Sequence, residues 1–547
     1  MIYNHGMLSK LLSEFPAGYT PSDQQSQLLK EIESAFDSGY KFVICNAPTG
    51  SGKSFISKTL SNASKPHDEN YVELINSYEA YKRDQSGQYI NSVECDDSHG
   101  GAFALTITKS LQDQYKQLFN DTEVLKGKAN YQCDIDPNFD VETAPCIHSK
   151  NILNDCWQKN RCPYYKTRNK SLTSKFSALN YKMFLALPKH VKNRDYIICD
   201  EASELEDEIV RQFSILIDIK KLRLNNIKVE PLTSTKSQIV FKWINTININ
   251  IVGAIEELLD VIKQTKTPLA SDINRHRFLK TFQLTLTQVI ENWNTCEYII
   301  QLDDKEHVRL TPLKIDSLTK YIFQYADKIL LMSATIIDHA NLAKVLGIKK
   351  YKYVEAQSVF DPKKAPIYIS QTNRLNQSNL QKALPTIIKQ IKQICAEHKD
   401  EKGVIHTHTN YITSYIQERI NESRFLYRDN QTRNEDILEL HLNSNEPTVL
   451  VSPSLGLGVD LKDDLARFQI IVKAAFLPLG DDRIKKLFSQ DKQWYENKML
   501  SNFIQQCGRG IRSSKDHCVT YVLDATIFNA IVRNKEKLPR YFLDRFV

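Results

Sequence analysis

The chain has 547 residues, of which 41% are hydrophobic and 25% are charged. At roughly 150 residues per domain, this length predicts three or four folded domains and excludes a single small binding module. Lys and Arg number 72 against 65 Asp and Glu, and the net charge of +7 suits a polyanionic partner without establishing one.

Neither targeting signals nor disulfides are predicted. No stretch approaches the roughly 18 consecutive apolar residues of a membrane helix, and the opening residues lack the cleavage pattern of a secretory signal. We therefore expect the protein to act in the cytoplasm of a bacterium or a virus-infected cell, or on the nucleoid, without a membrane partner. Most of the 11 cysteines are then expected to be reduced and buried.

Short apolar runs typical of buried parallel strands recur along the chain. The first, at 41–46, is followed by the segment APTGSGKS and then by a helix-compatible stretch. Because such strands alternate with helical patterns, the sequence predicts an α/β fold with parallel sheets covered on both faces. The other runs lie at 104–108, 195–200, 328–335, 402–408, 447–453, 468–476 and 519–524.

Two intervals between these strands exceed the roughly 30 residues that a strand, a helix and a return strand require. The interval between Thr108 and Asp200 contains four clustered cysteines. The interval between Asp200 and Ser333 contains long stretches with apolar residues near helical period. Each interval predicts an inserted segment, the second mostly helical.

The segment APTGSGKS has the composition of a phosphate-binding loop, although Ala47 replaces the first glycine of the usual pattern. Its glycines permit a turn that points backbone amides at phosphate oxygens, and the following helix presents its positive end. Lys53 is expected to meet the β- and γ-phosphates of ATP, and the Ser54 hydroxyl to bind Mg²⁺. The alternative is a glycine turn with an unrelated lysine. The candidate residues are Thr49, Gly50, Ser51, Gly52, Lys53 and Ser54.

Two acidic residues, Asp200 and Glu201, follow the predicted strand at 195–200. Ligands bind at the carboxyl ends of parallel strands. Asp200 is therefore predicted to bind Mg²⁺, and Glu201 to orient or deprotonate the attacking water. The alternative interpretation is an acidic helix cap.

Two arginines, Arg509 and Arg512, lie three positions apart in QQCGRGIR, which is predicted to form one helix face. Taken alone, such a face is usually a solvated basic surface. Together with the phosphate loop and the acidic pair, the two guanidinium groups become candidate arginine fingers from a second sheet domain. Two such domains closing on one ATP would convert hydrolysis into relative motion.

In this order, the motifs resemble those of superfamily 2 DNA helicases of the XPD/DinG iron–sulfur type. The shared motifs are APTGSGKS, ALTITKSLQDQY, CDEAS, LMSAT, SLGLGVDL and QQCGRGIR. The narrower family is indicated by GKANYQC, by the four cysteines ending in CPYY, and by the long second insertion. GYTPSDQQ is similar to the element that recognises adenine, and this assigns that role to Gln25. The resemblance also assigns nucleotide contacts to Gly458, Asp460 and Gln505.

The resemblance implies two RecA-like parallel-sheet motor domains, with an iron–sulfur insertion and a mostly helical arch inserted into the first. The implied segments of the first motor domain are 1–120, 171–206 and 321–345. The cysteine insertion is implied at 121–170, the arch at 207–320, and the second motor domain at 346–547.

Three positions depart from the family pattern. Ser203 stands where the family usually has a histidine, which puts the usual link from this motif to the other motifs in doubt. Leu457 replaces an acidic residue, and Ser22 replaces an arginine near the adenine element. We expect ATP hydrolysis to persist with altered coupling.

Cys133, Cys146, Cys156 and Cys162 are separated by 12, 9 and 5 residues, unlike the paired cysteines of common zinc ribbons. Spacing alone leaves zinc, an iron–sulfur cluster and four unligated thiols open. The family resemblance implies a 4Fe-4S cluster with a structural role.

The segment 159–175 carries six basic residues, no acidic ones and two adjacent tyrosines. This composition favours contact with a single strand through phosphates and stacked bases, with Lys166 and Arg168 as candidates. The alternative is a solvated lysine face. Further motif-level candidates for strand contacts are Thr108, Lys109, Asn180 and Tyr181, which are equally compatible with loop or capping roles.

The implied function is ATP- and Mg²⁺-dependent translocation, 5′ to 3′, on single-stranded DNA, with unwinding of tailed duplexes by a monomer that works with replication or repair proteins. Two alternatives stay open. One is a single-strand-stimulated ATPase that remodels nucleoprotein complexes without unwinding. The other is a catalytically degenerate nucleic-acid-binding scaffold, for which Ser203 and Leu457 are the motivation.

Overall fold

The computed structural model of the chain describes residues 9–48, 50–77, 98–147, 149–265, 269–357, 361–370, 374–376, 378–427, 434–453, 461, 463–510 and 516–547. Among the helices of these ranges, none combines the length and the apolar composition needed to span a bilayer. The cysteines in these ranges are buried free thiols.

The described elements are named in chain order. The strands are β1 (Phe42–Asn46), β2 (Ala102–Thr106), β3 (Glu123–Leu125), β4 (Phe176–Asn180), β5 (Arg194–Asp200), β6 (Ile215–Asp218), β7 (Tyr298–Leu302), β8 (His307–Pro312), β9 (Ala326–Ser333), β10 (Tyr351–Glu355), β11 (Ile367–Ile369), β12 (Gly403–His406), β13 (Phe425–Tyr427), β14 (Val449–Ser452), β15 (Phe468–Ile471) and β16 (Val519–Val522). The helices are α1 (Lys10–Ser13), α2 (Asp23–Asp37), α3 (Lys53–Ala63), α4 (Glu69–Asn76), α5 (Lys109–Leu118), α6 (Lys150–Gln158), α7 (Pro163–Thr173), α8 (Tyr181–Ala186), α9 (Leu205–Phe213), α10 (Ile219–Leu224), α11 (Ser237–Gln264), α12 (Ala270–Asn292), α13 (Lys320–Phe323), α14 (His339–Val345), α15 (Leu380–Glu397), α16 (Asn410–Gln417), α17 (Asn434–Asn443), α18 (Asp482–Gln490), α19 (Lys492–Cys507), α20 (Ala525–Arg533) and α21 (Arg540–Leu543).

The first sheet has seven strands in the order β10-β1-β9-β5-β2-β4-β3. Every neighbouring pair is parallel. Ile44 of β1 packs in one hydrophobic core, whereas Val43 and Cys45 pack in another. Because neighbouring side chains of a strand point to opposite faces, both faces of this sheet are covered. The predicted parallel α/β architecture is confirmed.

Strand β10 belongs to the first sheet, which changes one expected domain boundary. The sequence assigned everything after residue 345 to the second motor domain, but Tyr351 of β10 pairs with Phe42 of β1 in the first sheet. That boundary is therefore wrong, because β10 extends the first sheet at the strand that carries the phosphate loop. Pairing between strands so far apart in sequence leaves no local signal.

The second sheet has six strands in the order β11-β16-β15-β12-β14-β13, again all parallel. Its central strands are apolar and fully buried, as Ile405 and Ile470 show. We call the part of the chain built on the first sheet lobe 1 (residues 9–357) and the part built on the second sheet lobe 2 (residues 361–547).

The segment between β5 and β9 contains the long helices α11 and α12, which pack on one another. Val240, Ile244, Ile247 and Ile251 are buried along α11 at the spacing of one helix face. The same segment also contains an antiparallel sheet of three strands in the order β6-β8-β7. The sequence predicted helices here and missed this small sheet.

The two lobes touch along one side of the molecule. Lys344 of lobe 1 pairs with Asp491 of lobe 2 at 2.9 Å. The Tyr541 hydroxyl of lobe 2 donates to the Ala334 carbonyl of lobe 1 at 2.6 Å. These contacts bring α14 and the end of β9 against lobe 2.

Candidate nucleotide-binding site

The phosphate loop lies between β1 and α3, as the sequence predicts, and leads directly into the positive end of a helix. Gly50 and Gly52 have φ angles of 80° and 81°, a region that side chains with a Cβ rarely adopt. A Cβ at Gly52 would lie 2.0 Å from Gln25 Nε2. Among the described residues, the buried Ser51 hydroxyl has no hydrogen-bond partner, which suits a group that meets a phosphate.

Lys53 and Glu201 come together at the carboxyl edge of the first sheet. The Lys53 ammonium donates to Glu201 Oε1 at 2.8 Å, and the two side chains are only 14% and 24% exposed. The Glu201 backbone is left-handed, with φ 53° and ψ 50°. For a residue other than glycine this conformation costs about 1–2 kcal/mol, and such strain is concentrated at functional sites.

Asp200 ends β5 and is buried. Its Oδ1 accepts the Glu201 N–H at 3.0 Å, and its Oδ2 accepts the Tyr115 hydroxyl at 3.3 Å. Burial raises the pKa of Asp200 to about 6, against the opposing effect of the Lys53 charge. Mg²⁺ in ATP sites is usually held by one or two carboxylates together with phosphates, so this residue and the half-buried Ser54 suit that ion.

Gln25 lies beside the phosphate loop, at the start of α2. Its Nε2 donates to the Ser51 carbonyl at 3.3 Å, and its Oε1 accepts the Ser22 N–H at 2.9 Å. The Ser22 side chain completes a capping box by accepting the Gln25 N–H. Ser22 therefore serves as a helix cap, and an adenine that bound Gln25 would replace one of the present partners of its amide.

Ser203 links the motif that contains Glu201 to the end of β9. The absence of the usual histidine at this position had put such a link in doubt. Its hydroxyl lies 2.9 Å from the hydroxyls of both Ser333 and Thr335. Ser333 in turn donates to Glu201 Oε2 at 3.3 Å. Three hydroxyl groups thus connect the end of β9 to the carboxylate of Glu201. Ser203 replaces an imidazole by a smaller group but keeps a hydrogen-bonded connection.

Arg509 does not lie on a helix face, and this expectation from the sequence was wrong. Helix α19 ends at Cys507 and is capped by Gly508, so Arg509 lies in the turn that follows. Its side chain is buried near His406, the last residue of β12; burial and then the Arg509 charge lower the pKa of His406 to about 3. Arg509 is therefore at the carboxyl edge of the second sheet, where ligands bind.

Gln505 lies half-buried in the last turn of α19. Five residues singled out in the sequence lie outside the described residues: Thr49, Leu457, Gly458, Asp460 and Arg512.

The four clustered cysteines are brought together in one buried group. Cys146 lies within electrostatic reach of Cys133 and Cys156, and the Cys162 thiol hydrogen-bonds Cys156. Burial raises the pKa of Cys146 to about 12. Within the described ranges, no group of three or more His, Cys, Asp or Glu side chains is arranged to hold a metal ion.

Two of the residues predicted to contact a single-stranded nucleic acid are buried. Arg168 is 2% exposed, and its guanidinium donates to Asn169 beside the Tyr165 ring. Tyr181 is 1% exposed, and its hydroxyl donates to the Asp200 carbonyl at 3.4 Å. Neither side chain is accessible to a nucleic acid, so the predicted nucleic-acid contacts of Arg168 and Tyr181 are wrong. Tyr164 and Tyr165 are buried as well and offer no exposed ring on which a base could stack.

The other candidates divide between capping and exposed positions. Thr108 caps α5 and Asn180 caps α8, as the capping alternative expected. Lys109 is exposed and donates to Asn130 at 2.6 Å. Lys166 is exposed and lines a cavity of about 380 Å³ together with Cys156 and Cys162.

Several residues of this site could not be recognised from the sequence. Tyr115 is the last residue of the motif ALTITKSLQDQY, which assigned it no role, yet its hydroxyl joins Asp200 to Ser57. Glu206 follows the acidic pair within a charged run that resembles a solvated helix face, but it is buried against lobe 2. The apolar Leu205 and Ile209 beside it were a signal that α9 is packed, although they do not identify a partner.

Residues 391–542 match the family described as the helicase C-terminal domain. Among solved structures, one named XPD helicase is 17% identical, covers 94% of this chain and 98% of its own, and has a TM-score of 0.59. S. tokodaii Xpd4 is 12% identical over 96% of this chain and 98% of its own, with a TM-score of 0.54. An XPD apo structure is 15% identical over 93% and 98%, with a TM-score of 0.53. No curated protein matches the chain. At these identities, the likeness shows a shared fold of two parallel-sheet lobes.

Proposed function

We propose that this chain is an ATP-dependent superfamily 2 helicase of the XPD/DinG type that moves 5′ to 3′ along single-stranded DNA and unwinds tailed duplexes. The observation that carries the proposal is the 2.8 Å contact between Lys53 and Glu201 at the carboxyl edge of a parallel sheet. This contact supports the proposal because the Lys53 ammonium, a group suited to binding phosphate, lies beside a carboxylate that can accept a proton. The match of residues 391–542 to a helicase C-terminal domain supports the same assignment.

In the proposed reaction, the loop amides and Lys53 bind the phosphates of ATP. Because the γ-phosphate competes with Glu201 for the Lys53 ammonium, binding of the phosphate releases the Glu201 carboxylate. That carboxylate then accepts a proton from the attacking water. Mg²⁺ held by Ser54 and Asp200 would supply electrostatic stabilisation of the transferred phosphoryl group.

Lobe 2 is proposed to supply the arginines of the reaction. Arg509 at the carboxyl edge of the second sheet, together with Arg512 and Gln505, would bind the same triphosphate and make its hydrolysis depend on lobe closure. The position of Arg509 at the carboxyl edge of the second sheet supports this role, because ligands bind at that edge and a preorganised guanidinium loses little freedom on binding phosphate.

The DNA strand is proposed to pass between the cysteine segment and the α11–α12 segment. A salt bridge at 3.0 Å between Arg277 of α12 and Glu142 of the cysteine segment joins these two insertions. The exposed Lys109 and Lys166 would contact phosphates along this route.

We further propose that Cys133, Cys146, Cys156 and Cys162 hold a 4Fe-4S cluster. An all-thiolate donor set is typical of iron–sulfur clusters, and the four thiols are buried near one another, although their arrangement in the described structure is not that of a metal site. The cluster would stabilise a segment too short to build its own core. Anaerobically prepared protein should contain iron and acid-labile sulfide and absorb visible light, and Cys162→Ser should lose all three. Zinc, or neither metal, would contradict this proposal.

The experiment that tests the helicase assignment measures ATP hydrolysis and strand displacement on matched substrates. Single-stranded DNA should stimulate hydrolysis, and duplexes with a 5′ tail should be unwound faster than duplexes with a 3′ tail. RNA tails of the same sequence test the nucleic-acid preference. Stimulated hydrolysis without displacement would favour a remodelling translocase, and no hydrolysis at all would favour a binding scaffold.

A further inference from the structure

Glu206 is the centre of a buried contact between the lobes. It belongs to α9 of lobe 1 and is 4% exposed. Its Oε1 accepts a hydrogen bond from Arg483 Nη2 at 2.7 Å, and its Oε2 accepts one from Trp494 Nε1 at 2.8 Å. Lys498 Nζ lies 3.2 Å from the same carboxylate. All three partners belong to lobe 2.

The partners are themselves fixed. Arg483 donates to the Pro312 carbonyl at 2.8 Å, and Lys498 also pairs with Asp207 at 2.9 Å. Burial acts to raise the pKa of Glu206, but the charges of Lys498 and Arg483 outweigh it and lower that pKa. Glu206 is therefore a charged carboxylate whose described hydrogen-bond and ion-pair partners all belong to lobe 2. Removing its charge leaves Arg483 without its carboxylate partner, whereas Lys498 keeps its pair with Asp207.

This contact is close to the catalytic glutamate in the chain. Glu201 is followed by a short 3-10 turn, Ala202–Glu204, and then by α9 with Glu206 in its first turn. The left-handed backbone of Glu201 persists only where its surroundings hold it. On one side, β5 is fixed by pairing Asp200 with Met332 of β9. On the other side, the carboxylate of Glu206 ties α9 to lobe 2.

The contact also reaches the helix that precedes Arg509. Trp494 and Lys498 both belong to α19, which ends at Cys507. A displacement of α19 would therefore alter its grip on Glu206 as well as the position of Arg509. Glu206 thus connects the segment that carries the proposed general base, Glu201, to the helix that precedes the candidate arginine finger, Arg509.

We propose that Glu206 is a positioning residue for ATP hydrolysis. Lobe 2 binds the Glu206 carboxylate and so fixes α9. The fixed helix holds Glu201 in the conformation that directs the Glu201 carboxylate to the phosphate loop. This inference rests on the proposed ATPase function and adds the means by which lobe 2 controls the general base. When lobe 2 shifts, Glu201 loses the support that maintains its left-handed backbone, and hydrolysis stops.

The test compares Glu206→Gln with Lys344→Met in the full chain. Glutamine has the size of glutamate but no charge. Lys344→Met removes another pair between the lobes, Lys344 with Asp491, which includes no residue of α9. We expect Glu206→Gln to lower kcat for DNA-stimulated ATP hydrolysis about tenfold with the KM for ATP unchanged, because ATP binding does not need Glu201 in place. Lys344→Met should leave both constants unchanged.

A merely structural role for Glu206 predicts a different result. Unchanged kcat in Glu206→Gln would overturn the inference, and so would an equal loss of kcat in Lys344→Met. If Glu206→Gln does not fold, Trp494→Phe retains an aromatic ring at this position and removes the N–H donor to Glu206 together with part of the indole ring system. It should lower kcat about threefold at constant KM, a loss of the size expected for one hydrogen bond, and an unaltered kcat would contradict the proposal.

The two proposals can fail separately. If the unaltered chain hydrolyses no ATP, the proposed function itself is wrong. If the unaltered chain and Lys344→Met hydrolyse ATP and Glu206→Gln does so equally well, only the role of Glu206 is wrong.

Discussion

The Nζ atom of Lys53 lies 2.8 Å from Oε1 of Glu201, although the two residues are 148 positions apart in the chain. The carboxyl ends of β1 and β5 bring them together, and both side chains are largely shielded from water. In such surroundings an ion pair is strengthened, and a competing phosphate must displace one partner from the other. Several properties of the chain depend on this arrangement.

Glu201→Gln should separate nucleotide binding from hydrolysis. Glutamine cannot accept a proton from water, so kcat should fall by at least about a hundredfold. ATP should bind at least as well as to the unaltered chain, because Lys53 loses a charged competitor. Binding is measured with a fluorescent ATP analogue and hydrolysis by phosphate release. Lys53→Ala is the matched comparison and should weaken ATP binding itself.

Asp200→Asn should stabilise the fold while impairing catalysis. The pKa of Asp200 is raised to about 6 by burial, above its ordinary value of 3.8. A raised pKa favours folding at pH values below 3.8, and this contribution is lost as the pH rises through about 6. The variant should therefore gain up to about 3 kcal/mol in unfolding free energy at pH 8 and about half as much at pH 5. Denaturant titrations at both pH values check this; an equal gain at both would contradict it.

In the unaltered chain, hydrolysis should decline as the pH falls below about 6. Protonated Asp200 is a poor ligand for Mg²⁺, so each further unit of acidity should raise the apparent Mg²⁺ requirement about tenfold. The measurement is ATPase activity against Mg²⁺ concentration at pH 5, 6 and 7. A requirement that does not change with pH would argue against Asp200 as the magnesium ligand.

Gly52→Ala should weaken nucleotide binding. Its φ of 81° disfavours any Cβ, and the added atom would lie 2.0 Å from Gln25 Nε2, so the Gln25 amide would have to leave its place beside the phosphate loop. Gly18→Ala is the control, because Gly18 has a φ of 84° but no atom within 4 Å of the added Cβ. The control should cost only about 1 kcal/mol of stability and leave ATP binding intact. Comparable loss of binding in both variants would show that backbone strain, not the loop contact, is responsible.

Ser203→Ala should weaken the connection between the end of β9 and Glu201. The substitution removes a hydroxyl that bonds Ser333 and Thr335, at a cost of about 1 kcal/mol in stability. We expect the ratio of DNA-stimulated to basal ATP hydrolysis to fall about two- to tenfold, as the loss of one hydrogen bond would give. Ser64→Ala removes another buried hydroxyl of lobe 1 and should leave that ratio unchanged.

Lys166 and Arg168 should behave differently despite lying two positions apart. Lys166 is exposed, so Lys166→Ala should weaken single-strand binding and lower its salt slope by up to about 0.7. Arg168 is 2% exposed, so Arg168→Ala should instead lower the unfolding free energy by about 3 kcal/mol. Filter binding at several salt concentrations and denaturant titration separate the two effects. An unchanged salt slope in Lys166→Ala would remove this residue from the DNA route.

The sequence by itself determined the order of the chemical groups and the local shapes that carry them. The loop at Gly50 and Gly52, the start of α3 and the carboxylates at the end of β5 follow from neighbouring residues, because φ preferences and strand ends are local properties. The continuous burial of β1 likewise follows from its apolar run, which predicted a sheet covered on both faces.

Only the tertiary structure decided which of these groups are exposed and what they contact. Arg168 and Tyr181 have the composition of a strand-binding surface but lie inside the fold, and β10 joins the first sheet through a distant pairing with β1. Glu206 finds Arg483 across 277 positions. A contact between elements so far apart depends on how whole lobes pack, and no local propensity in the chain encodes it.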